Sequence, residues 1–222
     1  MELRPYQSEA VARTMGAFVE GSKRVVLVAP TGSGKTVMGS AIVGKALYKR
    51  RKVLWLCHRR ELLAQAVKAI NQFVGEQVAG PIGTGADVTV ATVQSLLNKP
   101  KIEGVRLVVL DEAHHYRAEH WGGVAAMYND AYTLGLTATP QRADGKALGL
   151  MFEHLVESAS YTTLQRLGHL VSCETLRPDE FLGTDGIAKS PVQVYLQECP
   201  GERGFLFAKS VKDAERFSRE LC

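Results

Sequence analysis

The chain has 222 residues, room for one full domain with a sizeable core and part of a second at about 100–200 residues per domain. Its 45% hydrophobic and 23% charged residues exclude a disordered or membrane-embedded polypeptide, and a net charge of +4 permits a phosphate-rich partner without announcing one. Four cysteines, Cys57, Cys173, Cys199 and Cys222, form no C-x-x-C pair, which argues against zinc or a disulfide framework; with no long apolar segment, an intracellular, cytoplasmic chain is expected.

The N-terminal segment Leu3-Arg4-Pro5-Tyr6-Gln7 opens no apolar signal region. Short apolar runs then alternate with helical patterns. Strands are predicted at Val25–Ala29, Val53–Cys57, Val88–Ala91, Leu107–Asp111 and Leu134–Thr137. Their near-continuous Val, Leu and Ile content implies helices on both faces. Between the first two, Lys35–Lys49 reads as a helix with Val37, Met38, Ala41 and Ile42 on one stripe. A second helix from Arg60 to about Val74 sets Leu62, Leu63, Ala66, Val67, Ile70 and Phe73 on its apolar face. The expectation is a three-layer α/β domain with a mainly parallel sheet over residues 1–172.

Past Ala138 the pattern loosens. Arg177–Pro191 is polar and punctuated by Gly and Pro, as in a linker. Gly204–Ala208 reads as a short buried strand, and Val211, Ala214, Phe217 and Leu221 stripe a helix. One strand and one helix close no core, so residues 173–222 are expected to be a linker and the beginning of a second lobe.

The chemistry concentrates in Ala29-Pro30-Thr31-Gly32-Ser33-Gly34-Lys35-Thr36, between a predicted strand and a predicted helix. Glycines there let backbone N–H groups turn inward around phosphate oxygens at a helix N-terminus. In this P-loop pattern Lys35 reaches the terminal phosphates and the Thr36 hydroxyl ligates Mg²⁺, which predicts ATP and Mg²⁺ as cofactors. Further on, Leu107–Leu110 runs into Asp111-Glu112-Ala113-His114-His115. Asp111, at the end of a strand expected beside the P-loop strand, is the candidate for holding Mg²⁺ through bound water, and Glu112 for orienting and deprotonating the attacking water. Trp121 is expected to be buried rather than base-stacking.

With both halves present, Asp-Glu-Ala-His and Thr137-Ala138-Thr139-Pro140 resemble motifs II and III of the superfamily 2 helicases of DEAD/DEAH-box type. Leu3-Arg4-Pro5-Tyr6-Gln7 looks like the adenine-reading segment, in which Gln7 would bond the base edge with support from Arg4. His58-Arg59-Arg60-Glu61 resembles motif Ia, Thr92-Val93-Gln94-Ser95 the next backbone-binding motif, and Phe207-Ala208-Lys209-Ser210 motif IV. The doubled His, together with Arg142-Ala143-Asp144-Gly145, resembles the DNA-directed branch that includes phage helicases, type III restriction motor subunits and repair translocases.

That resemblance implies a RecA-like nucleotide-binding lobe followed by an incomplete second one. It makes Lys35, Asp111, Glu112 and His114 catalytic and Thr137 and Thr139 the couplers of phosphate state to nucleic acid. It also makes Arg59, Arg60, Thr92, Gln94 and Ser95 phosphate-backbone contacts blind to sequence. The family's arginine finger belongs to a later motif, absent from these residues, so ATP binding with slow hydrolysis is expected, with a second polypeptide as one source of the missing lobe. A nucleotide-gated DNA-binding lobe is the alternative reading. A small-molecule kinase or GTPase is disfavoured by the Asp111-Glu112 pair and the lack of an Asn-Lys-x-Asp guanine reader.

Overall fold

The structure, a computed structural model, describes residues 2–75, 77–116, 118–140, 148–172 and 190–221, with backbone only for 118–121. Two compact units result, Met1–Val171 and Ser172–Cys222.

The first unit opens with a helix outside the predicted elements. Helix α1 (Pro5–Val19) has Pro5 in its first turn, where the missing N–H costs nothing, and buries Gln7, Ala10, Val11, Thr14, Ala17 and Phe18 at helical spacing. Strands β1 (Arg24–Val28), β2 (Lys52–Cys57), β3 (Ala79–Pro81), β4 (Val88–Thr92), β5 (Val105–Asp111), β6 (Tyr132–Thr137) and β7 (His154–Glu157) form one sheet. Its order is β3-β4-β2-β5-β6-β1-β7, and every described pairing is parallel.

Alternate residues of β1, β2, β4 and β5 feed two cores. Val25, Leu27, Val53, Trp55, Val109, Leu134 and Leu136 pack under α1, α2 (Lys35–Tyr48) and α3 (Glu61–Val74). Val26, Leu54, Leu56, Val108 and Leu110 pack under α4 (Val93–Leu97), α5 (Ala118–Met127) and the Leu148–Phe152 turn. Burial on both faces explains why the strands read as apolar runs rather than as alternations; each fully buried aliphatic side chain is worth about 1.5–3 kcal/mol. Helix α2 lies so close to the sheet that a Cβ on Gly39 would stand 2.6 Å from Leu136 and 2.8 Å from the Trp55 ring. Helix α6 (Tyr161–Arg166) closes the first unit.

Two expectations are corrected. β6 lies between β1 and β5, so the carboxylate strand is not the neighbour of the P-loop strand but one strand further away. Gly204–Ala208 pairs with no strand among the described residues, and Phe205 and Phe207 are 95% and 91% exposed; five apolar-looking residues have no sheet to join in this unit. The described helices of the second unit are α7 (Pro191–Glu198) and α8 (Val211–Leu221), and no residue of α8 is buried. Residues 142–145 and most of the expected linker lie outside the described residues, as does the side chain of Trp121. Among the described residues no helix is long and apolar enough to cross a membrane.

Candidate nucleotide site and its nucleic-acid face

The site is assembled at the carboxyl ends of the parallel strands, where open α/β sheets place their ligands. β1 ends at Val28 and the chain arches through residues 29–34 into α2. Gly32 and Gly34 have φ of +81° and +86°, the left-handed region open to glycine at little cost. Inside the arch the Ser33 hydroxyl donates to the Pro30 carbonyl at 2.6 Å. Thr31 and Gly32 are exposed, Ser33 and Lys35 are buried, and Thr36 is half-buried on the first turn of α2.

The N-terminal segment braces this arch. The Gln7 amide donates to the Ser33 carbonyl at 2.9 Å and the Tyr6 hydroxyl to the same oxygen at 2.8 Å. The other end of Gln7 accepts from the Arg4 backbone N–H at 2.9 Å. A Cβ on Gly34 would come within 2.5 Å of the Gln7 amide nitrogen, so the glycine is required by close approach as well as by its φ. Arg4 itself is exposed. Sequence reasoning misses two residues on this side. The His169 ring lies 5.5 Å from that of Tyr6, and Leu170 sits against Gly32. Nothing in Gly168-His169-Leu170 signals that proximity, because it arises from the return of the chain after α6.

The acidic pair meets the lysine although a strand separates their origins. Glu112 Oε1 is 3.6 Å from Lys35 Nζ. Strands are spaced by about 4.8 Å, a gap of two spacings that the P-loop arch and the long lysine side chain span. Glu112 has a φ of +53°, a left-handed conformation unusual for a residue with a Cβ; it turns the chain from β5 into the 3-10 turn Ala113–His115. Burial pushes the Asp111 carboxyl up to about 6, with the Glu112 charge adding to the rise. The Trp55 N–H favours the ionised form without completing a hydrogen bond, and the Lys35 charge pulls in the same direction. Cys57, at the end of β2, is pushed up to about 12 by burial and then by Asp111.

His114 Nδ1 stands 2.9 Å from the Thr137 hydroxyl and 3.5 Å from Glu112 Oε2. The Thr137 hydroxyl donates to the Thr139 carbonyl at 2.8 Å, so its one proton is committed and Nδ1 of His114 must be the donor between them. Burial, then the neighbouring His115, holds the His114 pKa below the ordinary imidazole value. Thr137 is fully buried at the end of β6, whereas Thr139 is exposed and gives its backbone N–H to Thr137 at 3.2 Å.

The residues expected at nucleic acid follow β2 and β4, at the same end of the sheet. Arg59, Arg60 and Gln94 are exposed. Thr92 is 4% exposed, and its hydroxyl accepts the Ser95 backbone N–H at 3.2 Å while the Ser95 hydroxyl donates to the Thr92 carbonyl at 2.9 Å. The pair caps α4, so these two hydroxyls shape the loop instead of projecting from it. His58 and His115, to which the motifs give no role, stack at 4.3 Å.

Mg·ATP fits the residues present. A glycine arch whose Cβ positions are filled by neighbours, a buried lysine and a hydroxyl at a helix start suit a triphosphate, and a carboxyl forced toward neutrality by burial suits a cation.

The family described as Type III restriction enzyme, res subunit, matches residues 1–142. A Schizosaccharomyces pombe protein that carries the name of a mitochondrial ATP-dependent helicase, irc3, is 35% identical over 179 residues, 70% of this chain and 29% of that protein. The DNA 3'-5' translocase XPB2 of Sulfurisphaera tokodaii is 36% identical over 152 residues, 66% of this chain and 33% of its own length. The chain thus spans about a third or less of these relatives. Among solved structures, the UvsW helicase from bacteriophage T4 superposes with a TM-score of 0.60 at 21% identity, covering 71% of this chain and 60% of that one. The RecA-like architecture, the ordered motifs and the matched residues together make this chain a member of the Type III restriction enzyme res-subunit family, within the superfamily 2 helicases, carrying its N-terminal lobe.

Proposed function

We propose that residues 1–171 bind Mg·ATP and the backbone of DNA as the nucleotide-binding lobe of an ATP-dependent helicase or translocase. The observation that carries this reading is the 3.6 Å approach of Lys35 to Glu112, two residues from distant segments converging at the mouth of one glycine arch. In the nucleotide-bound protein Lys35 exchanges Glu112 for phosphate oxygens, which releases the carboxylate to orient water and accept its proton. Thr36 and Asp111 would hold Mg²⁺, which would supply charge neutralisation of the phosphates. Gln7, whose amide hydrogens are engaged by Ser33 and Tyr6, offers the second lone pair of its side-chain carbonyl to the base edge, with Arg4 beside it. His114, held by Thr137, reads the γ-phosphate side, and Thr139 carries the state outward. Arg59, Arg60 and Gln94 grip phosphates on a loop shaped by Thr92 and Ser95.

DNA is preferred to RNA because relatives of this chain are named as a DNA translocase and as restriction-enzyme subunits. For residues 1–222 alone we propose slow turnover, since stabilising charge from a second lobe, in the same or another polypeptide, accounts for about 10³–10⁵ in rate in this chemistry. Calorimetric titration with Mg·ATP tests the assignment. Lys35→Ala is expected to lower affinity at least tenfold with the fold intact; unchanged affinity refutes the P-loop role.

A further inference from the structure

Three imidazoles form a continuous stack that none of the assigned roles uses. His114 and His115 lie with ring centroids 4.0 Å apart at 43°, and His115 and His58 at 4.3 Å and 32°. One end of the stack is tied to the nucleotide site, through His114 Nδ1 at 3.5 Å from Glu112 and 2.9 Å from Thr137. The other end, His58, is covalently next to Arg59 and Arg60 at the end of β2.

Resting on the function proposed above, we propose that His115 is a positioning residue that couples DNA engagement at Arg59 and Arg60 to the Glu112–His114 pair.

Two observations separate this from incidental packing. Nδ1 of His58 is enclosed with no hydrogen-bond partner among the described residues, so its ring is oriented by the stack, and a small rotation would relieve an unsatisfied nitrogen. The backbones on either side are already fastened by a separate bond, Tyr116 hydroxyl to the Leu56 carbonyl at 2.8 Å. The fold therefore has no need of His115 as a fastener. His115 is exposed and its side chain makes no hydrogen bond among the described residues; its only ring contacts there are the two imidazoles it bridges. Movement of the His58–Arg60 segment thus reaches Glu112 through side chains that slide rather than through a rigid bond.

Coupling between sites is reciprocal and is read as the ratio of affinities for one ligand with and without the other. The experiment measures the affinity of the full chain for Mg²⁺ with a non-hydrolysable ATP analogue, with and without a saturating single-stranded DNA oligonucleotide. The wild-type chain is expected to show a coupling factor of about tenfold, inside the usual range for linked sites. His115→Ala is expected to bring the factor below about twofold while each ligand alone binds within about twofold of wild type; His115→Phe, which keeps a flat ring, is expected to retain it. Full coupling in His115→Ala, loss of coupling in His115→Phe, or a wild-type factor of one with both ligands bound each overturns the inference alone. If the wild-type chain binds neither ligand, the proposed function falls and this inference falls with it.

Discussion

At Asp111 burial and the Glu112 charge act against the Trp55 N–H and the Lys35 charge, and the magnitudes decide which is felt. The carboxyl rises from 3.8 to about 6, so the folded protein holds its proton more tightly than the unfolded chain. Between these two values the native state binds more protons, and stability falls as pH rises through that window. Above pH 6 the ionised group costs up to about 3 kcal/mol in the metal-free protein, since each tenfold change in proton affinity is worth about 1.36 kcal/mol. Asp111→Asn should therefore stabilise the metal-free chain by about 2–3 kcal/mol at pH 8, with the gain fading as pH falls toward 4. Denaturant titrations at the two pH values check this, and an equal gain at both would remove the buried charge as its cause. The same substitution deletes the proposed cation ligand, so stability and function trade at one atom.

Helix α2 offers a second contest, between propensity and packing. Alanine favours a helix interior over glycine by about 1 kcal/mol, which applies at Gly44, where an added Cβ meets nothing within 4 Å. At Gly39 the same methyl would press on Leu136 and the fully buried Trp55, and overpacking costs about 1–3 kcal/mol. Thermal unfolding should show Gly44→Ala raising the midpoint and Gly39→Ala lowering it. Equal effects would mean that α2 yields at the sheet. On the loop after β2, replacing Arg59 and Arg60 with Ala should weaken DNA binding evenly across sequences and make the slope of log affinity against log salt shallower by about 1–2; a sequence-selective loss would contradict a backbone grip. Elements of this kind were legible where apolar runs and helical stripes were long, as in β2, β5 and α3. Helix α1 was not, although Val11, Met15 and Phe18 stand at helical spacing, because the small residues Ala10, Thr14 and Ala17 between them dilute the stripe. Nor was the place of β6, since strand order follows from crossovers that no single segment encodes. The P-loop and the acidic pair were readable because phosphate chemistry fixes local spacing. The contacts of His58, His115, His169 and Leu170 join segments far apart in the chain, and only the closed fold brings them together.

For the molecule as a whole, protection should follow burial. The central strands β2 and β5 carry fully buried residues in both cores and β6 carries Leu134 and Leu136 in one, whereas α8 has none. Amide hydrogen exchange is expected to be slowest in those strands and fastest in α8, where opening exposes no core. Slow exchange in α8 would mean that it is covered in solution.

The sheet ends at β3, three residues long with Pro81 at its close, and at β7, whose Glu157 carbonyl accepts from Arg13 at 3.0 Å. A proline presents no N–H to an incoming strand, and a carbonyl already engaged by a guanidinium is a poor template for one. Both rims of an otherwise adhesive, largely apolar sheet are thereby blunted, and copies of this lobe can crowd together without zipping rim to rim into a continuous sheet.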